Sequence, residues 1–551
     1  MKKKNQDDSN RKTIPEVNLS SDNGKSEDAN FNSKQKHKEE EKPRNHPSCN
    51  SSTALQPSNS TVNTTNGCTG NSTAKSDITI DDLVNESEQL NSKIPLRGHL
   101  EFILQNLEEK DFKSEADWDQ GDKPLPRKHY LVLTIQFILE QAVDLGLDII
   151  FKNGQIYLFN QQYWEKINEE EFRYFLGQAA LEMGVDKFDA KFFKFKEDLY
   201  KQFEAEGKLQ TQLAQNEVTL INLKNGTFEI SEHIQKLREF RKEDFLTYQL
   251  PFKYDESAEL DLFGKFLNEV LPEKELQNIL SEYIGSIFIQ NNVLKLEKAL
   301  FLYGGGSNGK SVIFDIISAL LGEENFSSYS LDSLTKDKDS RSMIADKLLN
   351  YCSETSATVQ SEIFKKLVSR EPIDVRQVYK TSFLMKDYAR LMFNSNDLPT
   401  DIEHNHAFFR RFLIIPFRVT IKEEDQDKNL GTKIINSELP GIFIWILEGM
   451  KRLLANKKFT PSTIVEEQIN KFRRESDSVL SFLDDCNYSP SCLEEFPIKD
   501  LYQNYRVYCF DNSNRPCSNR TFRKRLENGG YETKRKNIGW IVFAEKKDFE
   551  E

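Results

Sequence analysis

The sequence predicts an α/β protein built around a doubly wound, largely parallel sheet. Three observations predict it. A glycine-rich stretch, "YGGGSNGKSVIFDII" at residues 303–317, stands between the apolar run Ala299-Leu300-Phe301-Leu302 and a helical stripe of Val312, Ile313, Ile316, Ile317 and Leu320. Short apolar runs return at 347–352 ("KLLNYC"), 389–396 ("ARLMFNSN") and 411–417 ("RFLIIPF"). Helical patterns separate them. Strands alternating with helices behind a glycine-rich turn build a sheet with helices packed on its faces.

The bulk numbers set the frame. A chain of 551 residues is too long for one core. Hydrophobic residues make up 37% and charged residues 30%, which fits a soluble chain carrying some disorder. No apolar run approaches the ~20 residues needed to span a membrane. The basic start "MKKKNQDDSNRK" is followed by no apolar segment, so it does not read as a secretory signal. Seven cysteines are scattered without a C-x-x-C pair. Neither a disulfide framework nor a zinc site is expected, and a reducing cytoplasm fits. The net charge of -13 argues against a protein that coats nucleic acid over its whole surface, while leaving room for a local basic channel.

Residues 1–78 are rich in Asn, Ser, Lys, Asp and Thr, and read as a disordered polar tail. Residues 79–254 read as an α+β accessory domain. In it "KHYLVLTIQFILEQAV" carries a helical stripe, and "DIIFKNGQIYLFNQQYWEKI" and "VTLINLKNGTFEI" read as hairpins turning at Asn153-Gly154 and Asn225-Gly226. Residues 255–455 hold the glycine-rich stretch and the recurring strands, with "SEYIGSIFIQ" as a helix ahead of them. Residues 456–551 form a linker and a small C-terminal domain. There "IKDLYQNYRVYCFDN" and "SNRTFRKRLENGG" read as helices, the second opened by Ser518 and stopped by Gly529, and "YETKRKNIGWIVFAEK" reads as a hairpin. Helix, helix, hairpin is the outline of a winged helix.

The glycine-rich stretch satisfies G-x-x-x-x-G-K-[ST] through Gly304, Gly305, Gly306, Ser307, Asn308, Gly309, Lys310 and Ser311. Glycines let backbone N–H groups close around a phosphate, Lys310 reaches the β- and γ-phosphates, and the Ser311 hydroxyl takes a place on Mg²⁺. The start of the following helix adds its positive end. The stretch therefore reads as a site for a nucleoside triphosphate. Hydrolysis also needs a carboxylate at a neighbouring strand end. Glu354, just after "KLLNYC", supplies it. Asp346 is the weaker candidate because it precedes the strand. A polar sensor at the tip of the next core strand is Asn396, preferred to Asn394 because it stands nearer the tip. Arg410 and Arg411 stand before an apolar strand, with no acidic neighbour in sequence and no evident partner in their own subunit. Either could be donated in trans to a neighbour's site. Lys365, Lys366, Arg370, Arg376, Lys380 and Lys386, interleaved with Tyr379 and Phe383, suit a strand-tracking groove. In the C-terminal domain, Arg520, Arg523 and Lys524 on the second helix and Lys534, Arg535 and Lys536 on the hairpin are candidate DNA contacts.

This order of phosphate loop, acidic strand end, basic hairpin, "NSNDLP" and "FFRRFLIIPF" closely resembles the superfamily 3 helicases. The nearest group is similar to the phage and plasmid primase–helicase C-terminal family, related to the poxvirus nucleoside triphosphatase–primase. The resemblance runs from about residue 130 to the C-terminus, with its motif core at 300–417. It implies an AAA+-type ATPase core, with the α+β segment as the accessory domain before the motor and the tail as the winged helix. It implies a ring, usually hexameric, that uses ATP and Mg²⁺ to move on single-stranded or forked DNA beside the replication proteins of a phage, plasmid or integrated element. By resemblance Lys310 and Ser311 are Walker A, Glu354 is Walker B, Asn396 is the sensor and Arg410 or Arg411 the finger. Arg376 and Lys380 fall where the family places its DNA-contacting hairpin. Two departures stand out: Ser353 beside Glu354 where two acids are common, and Arg370-Glu371 where the family has a small Gly/Asp turn. No D-x-D pair in a strand context stands upstream, so primer synthesis is not expected. The competing readings are an ATP-switched origin-binding or scaffold protein, and a primase.

Overall fold

The computed structural model describes residues 98–547, apart from 153, 209–217, 354–358, 378–380, 400–401 and 513–514. The expected tail and Asn153, Glu354, Tyr379 and Lys380 therefore lie outside the described residues.

The first packed unit is built on helices α1 (Gly98–Gln105), α2 (Arg127–Asp144), α3 (Glu169–Glu182), α4 (Lys187–Lys191) and α5 (Phe193–Glu206), with the antiparallel sheet β1 (Asp148–Lys152), β2 (Gln155–Phe159), β3 (Trp164–Ile167). The α2 stripe buries Thr134, Ile135, Ile138 and Ala142, the helical period read from the sequence. The sheet alternates as a two-sided element should. Ile149, Ile156, Leu158 and Ile167 face the helices, while Ile150, Tyr157, Phe159 and Trp164 form a second cluster against Phe245.

A second antiparallel sheet, β4 (Thr219–Leu223), β5 (Gly226–Ile230), β6 (Gln235–Arg238), packs into a different core. Its Ile221, Leu223, Phe228 and Ile230 join the core of the central sheet. Its first turn is one position earlier than the sequence suggests. Leu223 pairs with Gly226, so the two-residue loop is Lys224-Asn225. Gly226 is needed for space, because a Cβ there would lie 2.4 Å from the Arg238 carbonyl oxygen.

The central sheet contains β7 (Ala299–Tyr303), β8 (Phe326–Ser327), β9 (Leu349–Cys352), β12 (Arg390–Ser395) and β13 (Phe412–Pro416), all parallel, in the order β13-β7-β12-β9-β8. One face carries Leu300, Leu302, Tyr351, Met392 and Leu413. It packs with α6 (Leu262–Val270), α7 (Lys274–Ser286), α8 (Lys310–Leu321) and α10 (Leu430–Asn456). The other carries Phe301, Leu391, Phe393, Phe412 and Ile414. It packs with α9 (Ser361–Val368) and α11 (Thr463–Glu475). A hairpin of β10 (Ile373–Val375) and β11 (Phe383–Met385) lies between α9 and β12 in the chain. The long helix α10 is not evident in the sequence, because Pro440, Gly441 and Gly449 interrupt it. Gly449 is needed for close approach: a Cβ there would sit 2.6 Å from Ser281 on α7. Glu438 of α10 accepts from the backbone N–H groups of Leu262 and Phe263 (2.7 and 2.9 Å), closing the start of α6.

The last unit has its own core around Val479, Phe482, Leu501, Tyr505, Phe522 and Leu526. It comprises α12 (Ser478–Asp485), β14 (Tyr488–Pro497), α13 (Ile498–Asp511), α14 (Asn519–Asn528), β15 (Thr533–Lys536) and β16 (Gly539–Lys546). Both expected helices and the hairpin are present. Ser518 caps α14 by accepting from the Thr521 N–H, and Gly529 closes it. The third strand, β14, pairs antiparallel with β16, and its prolines and alternating exposure hide it from a sequence pattern. Among the described residues no helix is long and apolar enough to cross a membrane.

Candidate functional site

The glycine-rich loop leaves the C-terminal end of β7 and enters α8 at Lys310. Both sides of the loop are fastened. The Gly304 N–H donates to the Ser395 carbonyl of β12 (3.1 Å), and the Phe417 N–H donates to the Tyr303 carbonyl (2.7 Å). Further on, the Ile421 N–H donates to the Ser307 carbonyl (2.8 Å). Asn308 is buried and its Nδ2 donates to the Phe417 carbonyl (3.4 Å).

The glycines divide into two kinds. Gly304 and Gly309 are required by the protein. A Cβ at Gly304 would lie 2.4 Å from the Phe417 carbonyl oxygen. Gly309 has φ +83°, and its Cβ would lie 2.8 Å from Val270 and 2.9 Å from Phe266 of α6. Among the described residues a Cβ at Gly305 or Gly306 would meet no protein atom within 4 Å, and neither residue is left-handed. No described residue demands glycine there. The absence of side chains keeps backbone N–H groups approachable from outside, which is the property a phosphate needs. The first turn of α8 has no side-chain cap, so its N–H groups are available too. These residues fit a nucleoside triphosphate. Gly305→Val should therefore leave the melting temperature unchanged while weakening ATP binding. Gly309→Val should lose stability, with about 1–2 kcal/mol from the left-handed backbone alone. Differential scanning fluorimetry with and without nucleotide separates the two.

Lys310 is buried, and its Nζ donates to the carbonyls of Gly304 and Gly305 (both 2.7 Å) and to Asn308 Oδ1 (2.8 Å). Burial holds its pKa below the usual lysine value. Ser311 is exposed one residue along. The carboxylate expected to share a metal with it, Glu354, lies outside the described residues; β9, which leads to it, ends at Cys352. β9 is two strands from β7, not adjacent to it, because β12 lies between them. That puts the tip of β12 beside the loop. Asn394 is buried on β12, accepts from the Tyr351 hydroxyl (2.8 Å) and donates to the Lys310 carbonyl (3.3 Å). Asn396 is exposed just past the strand. The structure thus ties Asn394 into the scaffold and leaves Asn396 at the surface. Sequence reading missed the Tyr351–Asn394–Lys310 chain, because a buried tyrosine at a strand centre has the same pattern as any core aromatic. Asp346 is at the opposite end of β9 and pairs with Lys166 (3.2 Å), away from the loop.

Arg410 and Arg411 behave differently, and the expectation that neither has a partner in its own subunit is corrected. Both approach Glu297, which no sequence spacing links to them. Arg410, 47% exposed at its side chain, donates to Glu297 Oε2 (2.6 Å). Arg411 is buried, donates to Ser369 Oγ (3.1 Å) and the Ala407 carbonyl, and lies 3.9 Å from Glu297. Burial pushes the Glu297 pKa up, but Lys295, Arg410 and Arg411 outweigh it and hold the carboxyl below its usual value. Both arginines precede β13 and so stand at the N-terminal end of the sheet, while the glycine loop is at the C-terminal end of β7. Arg418, exposed and next to Phe417, is the arginine that the fold brings beside the loop; sequence spacing gave no hint of it.

The β10–β11 hairpin sits where a basic hairpin was expected. Its tip runs from 376 to 382, and Lys380 there lies outside the described residues. Arg370-Glu371 is not the tip. It is the turn between α9 and β10, with Arg370 in a left-handed conformation (φ 51°). Arg376 makes a two-pronged contact with Asp339 (3.1 and 3.0 Å). In the C-terminal unit Arg520, Lys524, Lys534 and Arg535 are exposed with no ion pair among the described residues. Lys536 pairs with Glu495 (2.5 Å), and Arg523 stacks over Trp540 (3.8 Å to the ring centroid) beside Glu527. Among the described residues no group of three or more His, Cys, Asp or Glu side chains is arranged to hold a metal.

Comparison with known proteins gives two family matches. Residues 140–272 match the family described as D5 N terminal like, and residues 302–411 match a family of unknown function, DUF5906. No curated protein matches the chain. Among solved structures, the apo C-terminal region of NrS-1 is similar at 15% identity, covering 75% of this chain and 98% of that one, with a TM-score of 0.40. The A form of the same region gives 14% identity, 74% and 97% coverage and a TM-score of 0.38.

Proposed function

We propose that the chain is a replication protein of the primase/helicase type and, more finely, an ATP-dependent DNA helicase of superfamily 3 with an AAA+-type P-loop core. The observation that carries this is the loop at 304–309. Two of its glycines are demanded by packing, and two have no described side chain or backbone within reach of a Cβ, beside Lys310 and an uncapped helix start. The match of residues 140–272 to the D5 N terminal like family supports it, since all but its last part, 255–272, falls on the segment expected to precede the motor.

In this reading the loop N–H groups and the α8 start hold the β- and γ-phosphates. Lys310 turns from the loop carbonyls to the phosphate oxygens. Ser311 and Glu354 would hold Mg²⁺, which would supply neutralisation of phosphate charge. Glu354 orients the attacking water and Asn396 contacts it or the γ-phosphate. Arg410 is the residue donated to a neighbour's site, because it is exposed and needs only to leave Glu297. Arg411 keeps the strand start in place. The ring moves on single-stranded or forked DNA in replication of a phage, plasmid or integrated element, alongside that element's replication proteins.

The C-terminal unit is the winged helix of this reading. Arg520 and Lys524 on α14 and Lys534 and Arg535 on the wing are exposed cations with no ion pair among the described residues. Reversing these four should weaken DNA binding and flatten its salt dependence by about one unit of slope for each phosphate no longer held. Arg523→Ala and Lys536→Ala should do less, because both side chains already have partners. Unchanged binding and slope in the four-fold reversal would remove this unit from the DNA contacts. The experiment that tests the main reading is ATP-driven strand displacement on forks bearing only a 3′ or only a 5′ tail. Slow hydrolysis with no displacement on either fork would favour the origin-binding switch instead.

A further inference from the structure

The first packed unit carries a surface with no role in the reading above. At the corner between α4 and α5 the sequence is "KFDAKFFKFK", residues 187–196, with four lysines and one aspartate in a chain whose net charge is -13. Phe188, Phe193 and Phe192 are 81%, 70% and 45% exposed. Phe192 and Phe193 lie 5.0 Å apart, ring to ring. Three phenylalanines held in water on one short stretch forgo burial worth roughly 1.5–3 kcal/mol each, so the exposure needs a reason.

The corner is stiff. Asp186 caps α4 by accepting from the N–H groups of Phe188 and Asp189 (2.9 and 3.2 Å). The Phe192 N–H donates to the carbonyls of Phe188 and Asp189 (both 3.0 Å), which makes Phe192 the end of α4 and the residue before α5. Ala190 and Phe195 are buried beneath and anchor the turn to the helical core. The three rings therefore sit on a preformed platform.

The lysines decide what the platform is for. Lys187, Lys191 and Lys194 are exposed, and they and Lys196 have no ion pair among the described residues. Two carboxylates that follow the stretch are engaged elsewhere: Glu197 pairs with Lys201 (2.8 Å), with Lys194 acting on it only at longer range, and Asp198 pairs with Arg127 (2.9 Å). Lysine is depleted from the centres of protein–protein interfaces, whereas rings alternating with free cations are what a single strand requires: faces for bases and charges for phosphates.

We propose that Phe188, Phe192 and Phe193, with Lys187, Lys191 and Lys194, form a contact for single-stranded nucleic acid separate from the glycine-loop site and from the C-terminal unit. The inference shares with the proposed function only its class of partner and needs no ATP. The test uses the full chain and a fluorescein-labelled oligo(dT), without nucleotide, across a salt series. Phe188→Ala/Phe193→Ala should weaken binding roughly fivefold to a hundredfold for each ring that stacks, with the salt slope unchanged. Lys187→Glu/Lys191→Glu/Lys194→Glu should lower the slope by about two units, at ~0.7 per phosphate on a single strand. Both variants alter exposed side chains and should melt as the parent does. Lys310→Ala runs alongside. If it still hydrolyses ATP while the phenylalanine variant loses DNA, the helicase reading fails and this contact stands. If both patch variants bind the oligonucleotide as the parent does, the contact is overturned. It is equally overturned if DNA binding is unchanged and the ring substitutions alter sedimentation instead, since the face would then join copies of the chain.

Discussion

Lys310→Ala should lose ATP hydrolysis by at least about a hundredfold while the chain stays folded, because the developing charge on the phosphates loses a point charge inside the cradle. The structure sharpens the expectation. Among the described residues the Lys310 ammonium bonds three oxygens, all within the loop: the carbonyls of Gly304 and Gly305 and Asn308 Oδ1. Its removal should loosen the loop without unpacking the sheet, because the partners its ammonium holds among the described residues all lie in the loop. The fold check is the melting temperature, and the activity check is phosphate release with saturating ATP. Turnover near the parent's rate in a folded variant would end the Walker A assignment, and with it the motor.

Arg410→Ala should be at least as severe, by about 10³–10⁵ if the guanidinium is supplied in trans, yet it should be rescued by a partner that is itself inactive. Mixed in equal amounts with Lys310→Ala subunits, it should recover roughly a quarter of parental hydrolysis, since in a head-to-tail ring one random interface in four joins an intact pocket to an intact finger. Arg411→Ala should not take part in this rescue. Its guanidinium is spent on Ser369 and Ala407 inside its own subunit, so its loss should appear as lowered stability, about 1–3 kcal/mol for the polar groups left unpaired. Co-assembled mixtures that recover nothing would remove the trans role from Arg410. Recovery by Arg411→Ala in place of Arg410→Ala would reverse the two assignments.

The legible parts of this chain are those in which one local pattern dominates. The stripe of α2, the alternation of β1 and β2, the Ser518 cap and the strands flanking the glycine loop all follow from spacing of apolar residues and a few turn chemistries. The glycine loop itself was legible because its residue types have no bland structural explanation as a set. What stayed hidden depends on residues far apart in the chain. Glu297 reaches Arg410 across 113 positions, Tyr351 reaches Asn394 across 43, and Arg418 comes beside the loop only because β13 pairs with β7. Helix α10 was hidden for another reason. Its glycines and proline read as breaks, whereas Gly449 lets α10 approach α7 closely, and the interruption signals packing instead of an end.

The stacking of Arg523 on Trp540 has an optical consequence. The chain has four tryptophans; Trp164 and Trp445 are buried, and Trp540 is 39% exposed with a guanidinium on its face. A cation lying on the indole and water at its edge both act on the excited state. Any event that draws Arg523 away should change the intensity and emission maximum of this one fluorophore more than those of the two in the cores. The protein thus carries an intrinsic reporter on its C-terminal hairpin. Replacing Trp540 with phenylalanine would identify its share of the signal, giving a label-free readout of what the tail touches and when.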